Sequence, residues 1–267
     1  MSKLRVRSTE PDASGKVLDI TPQNAGWTYV GFRVHRLMPG MRITGLEEKR
    51  EACLIVLTGT ADVIAATERF EAIGGRKTLF DDMSPAAVLV PPSTRYTVIA
   101  RSTVELAVCT APAKGGVIRY IAPQSIGREK RGTGTNTRFV RNVLPETEPA
   151  ESLLIAEVIT PAGHWSSYPP HKHDTDALPT QSALEETYYH RLNPRQGFAF
   201  QRVYTDDRSI DETICVEDGD VVLVPRGYHP VGAPHGYDLY YLNVMAGPKR
   251  TWLIANDPAH DWMLQKT

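Results

Sequence analysis

The sequence predicts an all-β protein built from two similar β-domains, and three observations support this prediction. Its strongest segments are short, rich in β-branched and aromatic residues, and bounded by Gly, Pro or Asp. No stretch of comparable length carries apolar residues at the 3.6-residue period of an amphipathic helix. Similar short motifs also recur in the same order in the two halves of the chain. Many short strands at close spacing, with turn residues between them, are typical of a β-sandwich or a β-barrel.

The predicted strands follow one another along the whole chain. In the first half they are WTYVGFRVHRL, CLIVLTG, AVLVPP, RYTVIA and VELAVCTAP. In the second half they are SLLIAEVIT, ETYYHRL, FAFQRVY, VVLVPRG and DLYYLNVM. These segments contain many of the Val, Ile, Thr, Tyr and Phe residues that favour strands, and Gly, Pro or Asp residues between them supply the turns.

Two pairs of motifs relate the halves to each other. RLMPG (36–40) corresponds to VITPAG (158–163), and VLVPPSTRY (88–96) corresponds to VLVPRGYHP (222–230). Each pair has a similar place within its half, which indicates two related β-domains.

A polar segment separates the two halves. IGREKRGTGTNTRF (126–139) is rich in Gly and Thr, a composition that suits an exposed connection. We therefore predict an N-terminal domain over residues 1–134 and a C-terminal domain over residues 135–267.

The composition favours a small-molecule partner. A net charge of −1 gives no electrostatic reason to expect binding to nucleic acid or to an acidic membrane surface. The N-terminus lacks the apolar stretch of a signal peptide, and no run of about 18 apolar residues could span a bilayer. We therefore expect a cytoplasmic protein with reduced thiols at Cys53, Cys109 and Cys215. Exposed strand edges also favour a homo-oligomer.

The histidines are concentrated in the second half. His35 alone lies in the first half, and the second half holds His164, His171, His173, His190, His229, His235 and His260. Side chains alternate along an extended segment, so His171 and His173 of the HKH run project to the same face. The two imidazoles can converge on one metal ion if other strands supply further ligands. An isolated H-x-H is weak evidence, because surface loops carry such pairs by accident.

A second motif makes the prediction of a metal site more specific. GDVVLVPRGYHPV (219–231) combines a Gly-Asp turn, an apolar strand, Pro225, Gly227 and His229. Together with the earlier H-x-H and an acid, it resembles the two-part motif of the cupin barrel, a double-stranded β-helix or jelly roll. In that family the first motif supplies two His and one Glu, and the second supplies the last His. The loop after HKH is longer than usual, and His229 follows Gly227 after one residue instead of two.

Two adjacent acids compete for the carboxylate position. Neighbouring strand residues face opposite ways, so Glu185 and Glu186 cannot both point inward. The side chains of Glu186, Tyr188 and His190 point to the same face of the strand and together would form a polar wall. We therefore favour Glu186 as the carboxylate ligand. Glu185 is then a solvated, outward-facing neighbour.

The first half lacks the corresponding ligands. Arg95 stands where the VLVP alignment places His229, and GLEEKRE (45–51), at the expected position of HKH, contains no histidine. We therefore predict that the N-terminal cupin domain binds no metal.

A longer block carries a closer resemblance. Residues 184–252, from LEETYYHRL to MAGPKRTW, resemble the 5-deoxy-glucuronate isomerases of inositol catabolism, within the cupin-type uronate isomerases. RGTGTNTRFVRNVLPE (131–146) and REACLIVLTG (50–59) extend the resemblance over most of the chain. It implies two tandem cupin domains and conversion of 5-deoxy-D-glucuronate to 2-deoxy-5-keto-D-gluconate. It also implies a divalent metal ion, Zn or Mn with Fe or Ni as alternatives, bound by His171, His173, Glu186 and His229.

The chemistry of an aldose–ketose isomerisation suits this ligand set. A divalent ion bound by three imidazoles and one carboxylate keeps positive charge and can act as a Lewis acid on the substrate oxygens. An enediolate route and a hydride shift both remain open. The candidates for proton transfer are Tyr188, His190 and Tyr241. The candidates for binding the uronate carboxylate are Arg202, Arg226 and Lys249.

Two other functions use the same features. A His/His/Glu/His set also suits a non-haem iron oxygenase, which would consume oxygen and depend on iron. A non-catalytic uronate-binding cupin would bind the sugar without turnover. The resemblance over residues 184–252 favours the isomerase over both.

Overall fold

Nearly all of the regular secondary structure in the described chain is antiparallel β-strand. The computed structural model describes residues 2–266, and within that range the helices are one four-residue α-helix and three short 3₁₀ helices. None of these helices has the length and apolarity needed to cross a membrane. The all-β prediction is therefore confirmed.

The regular elements of the described chain are as follows. The first strands are β1 (Arg5–Val6), β2 (Lys16–Ile20), β3 (Gly31–Leu37), β4 (Arg42–Leu46), β5 (Arg50–Thr58), β6 (Thr60–Ala65), β7 (Glu68–Gly74), β8 (Ala86–Val90), β9 (Arg95–Ala100), β10 (Val104–Pro112), β11 (Arg119–Ile121) and β12 (Gly127–Arg131). The later strands are β13 (Arg138–Leu144), β14 (Leu154–Thr160), β15 (Trp165–Ser166), β16 (His171–Lys172), β17 (Asp174–Ala177), β18 (Gln181–Ala183), β19 (Glu185–Asn193), β20 (Phe198–Tyr204), β21 (Asp211–Glu217), β22 (Val221–Val224), β23 (Val231–Gly232), β24 (Asp238–Ala246) and β25 (Ala255–Asn256). The short helices cover Pro22–Ala25, Pro123–Ser125, Gly134–Asn136 and Asp261–Lys266.

The chain forms two compact units. The N-terminal unit contains Ser8–Gly127 and Val143–Leu154, and the C-terminal unit contains Met1–Arg7, Arg128–Asn142 and Ile155–Thr267. The sequence predicted a single boundary between residues 134 and 135, whereas the chain passes between the units several times.

Long-range contacts explain why Met1–Arg7 belongs to the C-terminal unit and Val143–Leu154 to the N-terminal unit. Strand β1 pairs with β22 in the C-terminal unit, and the Arg5 guanidinium lies 2.5 Å from a carboxylate oxygen of Asp220. In the N-terminal unit, the Glu51 carboxylate accepts hydrogen bonds from the backbone N–H groups of residues 151–153. A boundary drawn from composition misses such contacts because their partners are far apart in sequence.

The N-terminal unit consists of two antiparallel sheets. Their strand orders are β11-β8-β5-β10-β3-β2 and β4-β9-β6-β7. Apolar side chains of both sheets form one buried cluster, which includes Leu54, Val63, Val98 and Leu106. Burial of these side chains is the main source of stability in such a fold.

The C-terminal unit repeats this plan with additions. Its sheets have the orders β1-β22-β19-β24-β14-β13-β12 and β15-β23-β20-β21, with the two-stranded ribbons β16-β25 and β17-β18 beside them. The run β22-β19-β24-β14 corresponds to β8-β5-β10-β3 of the N-terminal unit. Its buried cluster also contains aromatic residues with hydroxyl groups, Tyr188 and Tyr241.

Candidate functional site

Strand β19 lines the interior of the C-terminal unit with polar side chains. It lies between β22 and β24, and Glu186, Tyr188 and His190 are each at most 2% exposed. Glu185, one residue earlier, is only half-buried. Of the two adjacent acids, Glu186 is the one that contacts the histidines.

Three histidines from distant segments converge on Glu186. His171 lies on β16, His173 follows that strand, and His229 follows β22, yet one ring nitrogen of each lies within 4.8 Å of the others. Glu186 Oε2 lies 3.0 Å from His173 Nε2 and 3.2 Å from His229 Nε2. In the described part of the chain, no other group of His, Cys, Asp or Glu residues has this arrangement.

Backbone carbonyls orient two of the imidazoles. His173 Nδ1 lies 3.2 Å from the carbonyl oxygen of Leu184, and His229 Nδ1 lies 2.8 Å from that of Gly227. Since a carbonyl only accepts, each Nδ1 donates, and each Nε2, which faces Glu186, is the atom that could act as a ligand. Gly227 has φ +92°, and a Cβ there would lie 2.4 Å from the Tyr204 carbonyl oxygen, so this turn requires glycine.

Electrostatic effects keep Glu186 ionised. Burial alone would raise the pKa of Glu186, but the imidazoles of His173 and His229 lower it to about 2. Burial lowers the pKa of His171 well below its usual range, and the two other imidazoles add to this effect. At His173 burial also lowers the pKa, but the Glu186 carboxylate outweighs it and the net pKa is raised.

These residues fit a divalent metal ion. His229 Nε2 is buried and completes no hydrogen bond within the described chain. A buried nitrogen of this kind costs free energy unless it gains a partner. Three imidazoles and one carboxylate are ligand types that suit divalent transition metals and zinc. His171, His173 and His229, with Glu186 beside them, could therefore hold one ion.

The predicted proton-transfer residues pack together beside His229. The Tyr188 ring lies 5.6 Å from the His229 ring, 4.9 Å from Tyr241 and 5.9 Å from His190, measured between centroids. Its hydroxyl group lies 2.9 Å from Ser167 Oγ. Burial raises the pKa of both tyrosines, so both hydroxyl groups stay protonated.

His190 is neutral and fully buried. Burial lowers its pKa to about 4. Its Nε2 lies 2.9 Å from Gln201 Oε1, which only accepts, so Nε2 carries the proton. Gln201 Nε2 in turn donates to the carbonyl oxygen of His229 at 3.4 Å. This chain of contacts connects His190 to the turn that carries His229.

The predicted carboxylate-binding cations do not reach this site. Arg202 points outward from β20 and makes two 2.9 Å hydrogen bonds to Asp211. Arg226 is exposed, and Lys249 is 58% exposed with Asp176 at 3.7 Å. None of the three lines the cavity beside His171. Side chains alternate along a strand, and Gln201 on β20 points into the interior, so the neighbouring Arg202 points outward.

A cavity of about 380 Å³ adjoins the histidine group through His171. Its volume falls in the range of small-molecule sites. Polar and aromatic side chains in its wall include Arg131, Arg138, Tyr168 and Trp252.

These wall residues were missed at the sequence level. Arg131 and Arg138 lie in the polar segment 126–139, which resembled an exposed connection. The available signal was the family resemblance over residues 131–146, which includes both arginines.

The sequence profile of the KduI/IolB family matches residues 4–263. The chain belongs to the KduI/IolB family. A 5-deoxy-glucuronate isomerase of Geobacillus kaustophilus is 54% identical over 266 residues, covering 99% of this chain and 96% of that protein. The crystal structure of an IolB-like protein from Salmonella typhimurium LT2 has a TM-score of 0.95 at 50% identity, covering 98% of this chain and 99% of the other.

A more distant structure shows the fold of this KduI/IolB member. The oxalate decarboxylase of Lactobacillus farciminis has a TM-score of 0.68 at 13% identity and covers 100% of this chain and 91% of its own. At this identity the similarity establishes the fold alone. The predicted all-β cupin fold and the predicted family are both confirmed.

Proposed function

We propose that this protein is an isomerase that converts 5-deoxy-D-glucuronate to 2-deoxy-5-keto-D-gluconate in inositol catabolism. One observation carries the proposal. Three imidazoles and an ionised carboxylate meet beside a cavity of about 380 Å³, in a chain that aligns over 99% of its length with a 5-deoxy-glucuronate isomerase. An aldose–ketose isomerisation needs positive charge near the substrate carbonyl, which a metal ion held by these residues would supply, and its enediolate route also needs a group that moves a proton.

The proposed ligands of a divalent ion are His171, His173, Glu186 and His229. Zn and Mn are the preferred ions, with Fe and Ni as alternatives. When bound, the ion supplies positive charge that stabilises the negative charge developing on the substrate oxygens. The carbonyl groups of Leu184 and Gly227 hold two of the imidazoles in the orientation that ligation requires.

The proposed proton-transfer residues are Tyr188, Tyr241 and His190. Their support is the ring cluster beside His229, in which the Tyr188 hydroxyl group is already hydrogen-bonded to Ser167. Burial of the cluster keeps bulk water away, so a proton would pass between fixed groups and substrate.

The proposal also includes a cytoplasmic location and a homo-oligomer. The cysteines support a reducing compartment, since all three are free thiols and two of them, Cys53 and Cys109, are buried in strands. The homo-oligomer stays a prediction from exposed strand edges.

The test is direct turnover. Metal-loaded protein is incubated with 5-deoxy-D-glucuronate, and the sugar is followed by ¹³C NMR with and without oxygen. We expect a new ketone carbon signal that grows at the same rate under anaerobic conditions. Metal-stripped protein is the control. Absence of the ketose signal, with the metal shown to be bound, would refute the proposed reaction, and a strict oxygen requirement would favour the oxygenase.

A further inference from the structure

Arg138 stands apart from the other charged residues of the cavity wall. It lines the same cavity as His171 and is half-buried. Its Nη1 donates to the carbonyl oxygens of Asn136 at 3.1 Å and Tyr168 at 3.3 Å. Within residues 2–266 it forms no ion pair with a carboxylate. These hydrogen bonds all leave from Nη1, so Nε and Nη2 are available to a ligand.

Arg131 provides a comparison in the same wall. Its Nη2 donates to Glu129 Oε1 at 2.6 Å, and its guanidinium lies 5.4 Å from the centre of the Trp252 ring. Arg131 therefore already has an acidic partner and an aromatic one. Arg138 has neither, although a partly buried guanidinium is stabilised most by a bidentate anion.

The backbone is shaped to hold Arg138 in place. Gly132 has φ +71°, and a Cβ at this position would lie 2.8 Å from Arg138 Nη1 and 2.3 Å from the carbonyl oxygen of Asn136. Only glycine lets the guanidinium lie this close to the turn. The side chain is thus fixed before any ligand arrives, which reduces the entropy lost on binding.

Arg138 brings positive charge into the cavity that His171 also lines. Burial lowers the pKa of Arg138 itself, but a guanidinium stays charged at neutral pH. A permanent positive charge and a metal-ligand group therefore share one cavity.

A uronate needs this combination, because it carries its carbonyl group at one end and its carboxylate at the other. We propose that Arg138 binds the C6 carboxylate of the substrate through Nε and Nη2, and so directs C1 and C2 towards His171 and its neighbours. Arg138 thereby replaces Arg202, Arg226 and Lys249 as the residue that selects uronates over neutral sugars. The inference rests on the proposed function for the identity of the substrate.

The first test compares two substrates. The variants R138A and R138K are assayed with 5-deoxy-D-glucuronate and with the corresponding 6-alcohol, in which a hydroxymethyl group replaces the carboxylate. We expect R138A to lose about 100-fold in kcat/KM for the uronate and far less for the alcohol. R138K should lie between R138A and the wild type, since an ammonium group cannot bind bidentately. Arg195→Ala is the matched control, because Arg195 is an exposed arginine paired with Asp218.

The second test measures binding without turnover. The probe is the C1 alcohol obtained by reducing 5-deoxy-D-glucuronate, which keeps the carboxylate and cannot isomerise. Calorimetry should show that its affinity falls by about 100-fold in R138A and is unchanged in R195A. If R138A does not fold, R138K carries both tests, the first through its ratio of uronate to 6-alcohol turnover and the second through its affinity for the C1 alcohol.

The two tests separate this inference from the proposed function. If the wild type makes no ketose but binds the C1 alcohol in an Arg138-dependent manner, the reaction is wrong and the carboxylate site stands. If the wild type makes the ketose and the Arg138 variants keep their preference for the uronate, the carboxylate site is wrong and the reaction stands. Equal losses on uronate and 6-alcohol would also overturn the carboxylate site, because they would show a structural role.

Discussion

The central strands β5 and β19 occupy equivalent places in the two units but point different kinds of side chain into the interior. Each lies between two antiparallel neighbours, β8 and β10 in one unit and β22 and β24 in the other. When the VLV segments of β8 and β22 are aligned through the strand register, Ala52 corresponds to Glu186, Leu54 to Tyr188, Val56 to His190 and Leu106 to Tyr241. Polar and aromatic groups in one unit are thus replaced by aliphatic groups in the other.

The apolar side chains of the N-terminal unit contribute to stability, whereas the polar groups of the C-terminal unit are suited to binding. Ala52, Leu54, Val56 and Leu106 all belong to the apolar cluster of the N-terminal unit. The Tyr96 ring also belongs to this cluster. It packs directly on Gly45, where a Cβ would lie 2.2 Å from ring atoms. At the equivalent positions the C-terminal unit buries the Glu186 carboxylate and the His190 imidazole, which is costly without a metal ion or hydrogen-bond partners. Equivalent interior positions are therefore filled by apolar side chains in one unit and by polar groups suited to metal binding in the other.

Loss of a ligand gives the largest expected contrast between the units. H229A should lower metal affinity by more than about 100-fold and reduce isomerase activity to background, because a ligand nitrogen is removed from the site. R95A, at the aligned position of the N-terminal unit, should change neither quantity. Activity and bound metal are measured on both variants. Full activity of H229A with metal retained would show that His229 is not a ligand.

The next contrast concerns the aligned pair Tyr188 and Leu54. Y188F removes only the hydroxyl group and should lower kcat by about 100-fold, with little change in the free energy of unfolding. L54A should leave kcat of the folded protein unchanged but lower the free energy of unfolding by about 3 kcal/mol, because it opens a cavity in the core. Steady-state kinetics and urea unfolding are compared for both variants. A kcat of Y188F equal to that of the wild type would remove Tyr188 from the list of proton-transfer residues.

A smaller effect distinguishes His190 from its apolar counterpart Val56. The pKa of His190 is lowered by burial to about 4 in the folded state, against about 6.5 in an unfolded chain. Its contribution to stability is fully present above pH 6.5 and is lost as pH falls towards 4, because the unfolded chain takes up the proton first. Between pH 7 and pH 4 the wild type should lose about 3 kcal/mol more free energy of unfolding than H190Q. Urea unfolding across this pH range measures the difference. If the free energies of unfolding of the wild type and H190Q change in parallel with pH, His190 titrates normally.

The smallest effects are expected at the surface cations of the C-terminal unit. R202A, R226A and K249A should each leave kcat/KM for 5-deoxy-D-glucuronate nearly unchanged, because their side chains face solvent or nearby acids. Steady-state kinetics with the uronate provides the measurement. A tenfold loss in any one of them would place that residue near the substrate.

Local periodicity accounts for what could be predicted from the sequence. Strand alternation put His171 and His173 on one face and separated Glu186 from Glu185, and both arrangements appear in the structure. The same rule could have excluded Arg202, which alternates with the buried Gln201. Local rules act over a few residues, so they succeed wherever a single strand decides the outcome.

Long-range pairing accounts for what could not be predicted. Arg138 lines the cavity because β13 joins the large sheet of the C-terminal unit. Arg5 belongs to the C-terminal unit because β1 pairs with β22. Neither partner is near in sequence, and composition gave segment 126–139 the appearance of a linker. Arg226 lies beside the turn that carries His229, but proximity in sequence does not set the direction of a side chain in a turn.

The central claim is that only the C-terminal unit carries a metal site. Elemental analysis of metal-saturated and dialysed protein tests it most directly, with H229A and R95A prepared in parallel. We expect one Zn or Mn ion per chain in the wild type and in R95A, and none in H229A. Two ions per chain in the wild type, or one ion retained in H229A, would contradict the claim.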